Sequence, residues 1–138
     1  MKILLPVDGS ETSARAVQFM VKQALNSREV PELHLLNVQH SLPGTIKGVA
    51  EQAKQYHHDE GIKALTNARK ALDDARVQYA YHIGVGDVGE VVAHFVNELN
   101  CDQVVMGTRG MGSVANMVLG SGANKVLQMV NVPVLLVK

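Results

Sequence analysis

VVMGTRGMGSVANMVLGSGANKVL, Val104 to Leu127, is the stretch from which the rest of the chain can be read. It opens on a short apolar run, Val104–Met106. Gly107, Gly110, Gly112 and Gly120 then interrupt residues that otherwise favour helix, and an amphipathic pattern starts at Ser121. The order is strand, glycine loop, helix start. In an α/β protein that is a place to hold phosphate. The first backbone N–H groups of a helix are unpaired and lie at the positive end of its dipole.

The alternation of strand and helix continues on both sides. Downstream, Ser121 is expected to cap a helix with Ala123, Val126, Leu127 and Val130 facing in, and residues 132–137 (VPVLLV) read as a fifth strand. Upstream, the fourth strand, 103–107, follows a helix with the stripe Val88, Val91, Val92, Phe95, Val96 and Leu99, capped by Asp87 and ended by Asn100. Residues 2–8 (KILLPVD) form a buried first strand. Ser10 caps the next helix, which puts Ala14, Val17, Val21, Ala24 and Leu25 on one face and ends at Asn26-Ser27. Residues 32–39 are the second strand, and 41–45 (SLPGT) a loop. Residues 45–75 are helical, with Ile46, Val49, Ala53 and Tyr56 on one face and Ile62, Leu65, Ala68 and Leu72 continuing it. Gly48 and Gly61 each weaken that helix by about 1 kcal/mol relative to Ala, and a break is expected near Gly61. Residues 77–83 alternate, Val77, Tyr79, Tyr81 and Ile83 against Gln78, Ala80 and His82, as in a strand with one face less covered. The order β-α-β-α-β-α-β-α-β implies parallel strands joined by right-handed crossovers. The expected fold is α/β, an open doubly wound, Rossmann-like five-stranded parallel sheet with helices on both faces.

Bulk properties narrow the function. With 138 residues there is room for one core, and 46% hydrophobic and 19% charged residues are ordinary for a globular domain. A formal net charge of zero argues against nucleic acid and against a polybasic membrane contact. No stretch has the length of a membrane span, and the N-terminal apolar run is too short for a signal peptide. The one cysteine, Cys101, cannot form an internal disulfide. A cytoplasmic protein is the expectation.

Three phosphate motifs compete. Gly107 to Gly112 has Walker spacing, but Ser113 stands where the lysine should be. Gly84-Val85-Gly86-Asp87-Val88-Gly89 spells the dinucleotide fingerprint, yet the next strand ends Val105-Met106-Gly107 with no acid for a ribose, and Asp102 lies at its wrong end. A tight turn and helix start describes that motif better, with an NAD-type site as the alternative. The third pattern is Gly107-x2-Gly110-x9-Gly120-Ser121. Placed after a strand ending Val-Met-Gly, it resembles the nucleotide-binding signature of the universal stress protein family, in its ATP-binding branch. The likeness covers the whole chain: Pro6-Val7-Asp8 before Ser10-Glu11, Leu35-Leu36-Asn37-Val38 in the second strand, and Asn131-Val132-Pro133-Val134-Leu135-Leu136-Val137 at the end.

The resemblance implies one universal stress protein domain over 1–138, strand order 3-2-1-4-5 and an adenine nucleotide alpha hydrolase-like architecture. It implies that Gly110, Gly120, Ser121 and Gly122 take the phosphates of ATP, or of ADP or AMP, with Arg109 adding charge, and that Gly107 lies under the ribose. Asp8 contacts the adenosine part, the Val38 backbone reads the adenine edge, Pro6 lines the same wall, and Met106 packs near the base. Mg²⁺ is held through the phosphates rather than by side chains. The resemblance also implies a homodimer joined along residues 132–137, an apolar edge strand that invites pairing.

No Ser/His/Asp or Cys/His set is placed by the chain, so the sequence reads as an ATP-binding, stress-linked module and not an enzyme. The alternative is a slow Mg²⁺-dependent ATPase or phosphotransferase, turning over far below the roughly 10 s⁻¹ of ordinary enzymes. A response-regulator reading of Asp8 fails for want of an adjacent acid. The six histidines read as incidental. His57 and His58 point to different helix faces, and His94 with Glu90 and Glu98 reads as a solvated face.

Overall fold

A computed structural model describes residues 1–41, 50–108 and 121–138. Five strands, β1 (Lys2–Pro6), β2 (Glu32–Gln39), β3 (Tyr79–Val85), β4 (Gln103–Gly107) and β5 (Val134–Val137), alternate with α1 (Glu11–Asn26), α2 (Ala50–Asp74), α3 (Val88–Leu99) and α4 (Ser121–Met129). All pairings are parallel, in the order β3-β2-β1-β4-β5. That is the expected order, and it differs from the 2-1-3-4-5 order of flavodoxin-like sheets. Among the described residues no helix is long and apolar enough to cross a membrane.

Right-handed crossovers put α1 and α2 on one face of the sheet and α3 and α4 on the other. Side chains alternate along each strand and feed two cores. Ile3, Leu5, Val7, Leu33, Leu35 and Val105 meet Val17, Met20, Leu65 and Leu72 on the first face. Leu4, Leu36, Val104 and Met106 meet Val92, Val96, Ala123 and Val126 on the second. Continuous apolar runs are what strands covered on both faces require.

Helix starts follow their caps. The Ser10 hydroxyl accepts the Ser13 N–H, and Asp87 Oδ1 accepts those of Gly89 and Glu90. Asn100 ends α3 in the left-handed conformation, at φ 55°.

Several expectations need correction. The buried face of α1 is Ser13, Ala16, Val17, Met20 and Ala24. Ala14 is exposed and Leu25 is 64% exposed, because the docking of the first turn rotates the helix. The strands β1, β3 and β5 run 2–6, 79–85 and 134–137, not 2–8, 77–83 and 132–137. Pro133 has no N–H to donate and gives its carbonyl to Val104 N, so the β5 ladder opens after it. Ser121 already lies within α4 and does not precede it, and Leu127 faces solvent. Ile46, Gly48, Val49 and most of the expected 41–45 loop lie outside the described residues.

The helix α2 runs unbroken through Gly61, and Tyr56 is exposed. Its buried line is His57, Gly61, Leu65, Ala68 and Leu72. A Cβ at Gly61 would stand 2.7 Å from Ile83 Cδ1 and Cγ2, so the glycine lets α2 lie directly on β3.

The histidines are not all incidental. His34 and His82, on neighbouring strands, stack with Nδ1 and Nε2 3.0 Å apart, and His82 lies beside Phe95. His57 is buried. Burial, with the positive charge of His34 when protonated, holds His82 below its ordinary value. Folding therefore favours neutral His82. Its contribution is complete above the unfolded value of about 6.5 and declines as pH falls below it. The melting temperature is expected to drop between pH 7.5 and 5.5, with a shallower drop in His82→Gln. Equal slopes would refute the assignment.

Candidate functional site

Strand order reverses at β1. From it the chain passes through α1 to β2 on one side, and from β3 it returns through α3 to β4 on the other. The flanking helices leave on opposite faces, which opens a crevice at the carboxyl ends of the strands, the ligand-binding place of open α/β sheets. Here it is a cleft of about 380 Å³, within the range of roughly 300–1,000 Å³ of small-molecule sites.

Strand ends build the floor. Pro6 ends β1 and Val7 and Asp8 follow it, Val38 lies near the end of β2 and His40 just past it, and Met106 and Gly107 close β4. Three helix starts form the rim: Ser10, Thr12 and Ser13 at α1, Asp87 and Val88 at α3, and Ser121 to Ala123 at α4 with Lys125 one turn on.

Local chemistry fixes this geometry. Buried Asn37 donates from Nδ2 to the Val7 carbonyl at 2.8 Å and accepts from Gln39 Nε2, which ties the ends of β1 and β2 together. Gly107 lies under the first turn of α1, where a Cβ would strike the Thr12 carbonyl. The glycine expected beneath a ribose thus also serves the fold. Thr108, buried beside it, gives its backbone N–H to the Val137 carbonyl at 2.9 Å.

Two carboxylates line the cleft. Partial burial raises the pKa of Asp8, but hydrogen bonds from the Ser10 hydroxyl and backbone and from Ser13 outweigh it and leave Asp8 below the usual carboxylate value. Its Oδ1 accepts the Ser10 N–H at 2.8 Å, so Asp8 shapes the turn as well as facing the cleft. Asp87 is lowered chiefly by Lys125, whose Nζ lies 2.8 Å from Oδ2.

A family model for the universal stress protein family matches residues 1–138. The chain belongs to that family. It is 29% identical over 147 residues to the universal stress protein YxiE of Bacillus subtilis, covering 99% of this chain and 98% of that protein. The solved structure of MJ0577 superposes with a TM-score of 0.78 at 28% identity, over 99% of this chain and 94% of that one. MJ0577 is a universal stress protein of Methanocaldococcus jannaschii. An Arabidopsis thaliana family member solved with AMP bound has a TM-score of 0.71 at 20% identity, over 100% and 91% of the two chains.

In this universal stress protein the cleft brings together Pro6, Asp8, Val38, Met106, Gly107, Ser121 and Gly122 from the expected set. Arg109, Gly110 and Gly120 lie outside the described residues. Sequence reasoning missed Thr12, Ser13, His40 and Lys125, and took Ser10 and Asp87 only as caps. The first turn of α1 is one spacing from Asp8 and could have been found. Lys125 could not, because its approach to Asp87 spans 38 residues. The Gly84–Gly89 stretch is the end of β3, a turn and the start of α3: Gly86 has φ 141°, and a Cβ on Gly89 would lie 3.0 Å from that of Lys125.

Proposed function

We propose that this universal stress protein binds ATP with Mg²⁺ in the β1/β4 cleft and works as a nucleotide-dependent stress-response module. The observation that carries the reading is the convergence of Asp8 after β1, Val38 of β2, Met106 and Gly107 of β4, and Ser121 and Gly122 of α4 on one crevice of nucleotide size. Pro6, Val38 and Met106 enclose the base, and Asp8 and Gly107 hold the ribose side. Ser121 and Gly122 meet the phosphates at the positive end of α4, with Arg109, Gly110 and Gly120 completing the loop. The AMP held by the Arabidopsis relative supports an adenine nucleotide. The cation is held through the phosphates in this reading, as Mg²⁺ is in nucleotide sites that supply few carboxylates of their own.

Binding is favoured over hydrolysis because both carboxylates of the cleft are tied to backbone turns, Asp8 to the Ser10 turn and Asp87 to the start of α3. The second reading is a slow ATPase or phosphotransferase on the same residues. The edge strand β5, with Leu135 37% exposed, supports a homodimer paired along 132–137.

Native mass spectrometry of freshly purified protein, followed by ATP titration, tests the proposal. We expect twice the 14.9 kDa chain mass with adenine nucleotide retained, and roughly tenfold weaker ATP binding in Asp8→Ala. A nucleotide-free protein that binds no ATP at millimolar concentration refutes it. Steady hydrolysis at about 1 s⁻¹, lost in Asp8→Ala, would favour the enzyme reading.

A further inference from the structure

Lys125 is the single lysine or arginine among the described residues lining the cleft, and it is not idle. Its Nζ lies 2.8 Å from Asp87 Oδ2. The two oxygens of Asp87 divide their work. Oδ1 accepts the Gly89 and Glu90 N–H groups, at 3.1 and 3.3 Å, and starts α3. Oδ2 holds the ammonium group. The base of the Lys125 side chain is set by close packing: a Cβ on Gly89 would stand 3.0 Å from Lys125 Cβ and from its carbonyl oxygen. The head is free to swing, since the two side chains are 54% and 39% exposed. Lys125 lies four residues after Ser121, one turn on along the same face of α4.

We propose that Asp87 and Lys125 form an exchangeable ion pair that reads phosphate. Lys125 leaves Asp87 for a phosphate oxygen of a nucleoside polyphosphate, and so sets the preference for phosphorylated over unphosphorylated nucleoside. The proposal rests on the nucleotide reading above. An exposed ion pair is weak and cheap to exchange, whereas a phosphate at the start of α4 meets both the helix dipole and the ammonium group. Asp87 is then a competitor for Lys125 and a like charge beside the incoming anion. The two residues act on phosphate affinity in opposite directions.

That opposition gives the test. Binding of adenosine, AMP and ATP is measured at fixed ionic strength for wild type, Lys125→Met and Asp87→Asn. Methionine keeps the packed stem and removes the charge. Asparagine keeps the helix cap, at which it is as good as aspartate, and removes the competitor. We expect Lys125→Met to weaken ATP roughly tenfold and leave adenosine unchanged, with a shallower salt dependence for ATP. We expect Asp87→Asn to tighten ATP by about threefold or more, again with adenosine unchanged. A pair that only fastens α3 to α4 predicts otherwise: both variants would lower the melting temperature and weaken all ligands alike, and that result overturns the proposal. So does weaker ATP binding in Asp87→Asn, or undiminished binding in Lys125→Met and Lys125→Gln. If wild type binds adenosine and AMP but these patterns fail, the nucleotide reading stands and the exchange is wrong. If wild type binds none of the three, both fall.

Discussion

Gly107→Ala is expected to lower the melting temperature by roughly 10 °C and to remove nucleotide binding with it. One methyl group has this effect because its neighbours are backbone. The new Cβ would collide with the Thr12 carbonyl and stand 3.0 Å from Ser13 N. A side chain in that place would rotate away, but the first turn of a capped helix does not. The helix α1 is held by Val17 and Met20 in the core it shares with Val105 of β4. Overpacking of this kind costs up to about 3 kcal/mol, and in a domain of this size each kcal/mol moves the midpoint by roughly 3–5 °C. Ligand binding should fail together with stability, because Thr12 and Ser13 line the cleft. Thermal unfolding followed by circular dichroism, with ATP titration below the midpoint, checks both. A variant melting within a degree or two of wild type would show that α1 does not rest on Gly107.

Gly61→Ala should change sign with its partner. In an open helix the substitution gains about 1 kcal/mol. Here the new Cβ meets Ile83 Cδ1, Cγ2 and Cγ1 at 2.7–2.8 Å, and a β-branched side chain has little rotamer freedom to yield. With Ile83 present the variant is expected to destabilise the protein by about 2 kcal/mol. In an Ile83→Ala background it should stabilise by about 1 kcal/mol, a coupling near 3 kcal/mol in a double-mutant cycle from urea unfolding. Gly61→Ala costing the same in both backgrounds would place the strain elsewhere.

These two glycines mark where reading from sequence succeeds and where it stops. Strand–helix alternation, the β2 limits and the Ser10 and Asp87 caps were legible because each depends on a few adjacent residues. The strand order was implied by family resemblance and is observed. Gly61 was misread as a helix break because its partner Ile83 lies 22 positions away, and local propensity knows nothing of it. The α1 face was misassigned for a similar reason: hydrophobicity favoured Leu25, but the docking of Thr12 and Ser13 on Gly107 sets the rotation of the helix. The floor of the cleft was foreseen from Pro6, Asp8, Val38, Met106 and Gly107. The charged rim was not, because the pairing of Lys125 with Asp87 exists only once α3 and α4 have packed.

The Thr108–Val137 hydrogen bond has a consequence for the proposed nucleotide site. Thr108 follows the last residue of β4, directly before the glycine segment, and Val137 is the last residue of the edge strand. On the proposed reading, a second chain paired along β5 would touch a strand fastened to the entrance of the nucleotide site. If nucleotide binding there moved Thr108, any coupling to pairing along β5 would be equal in both directions.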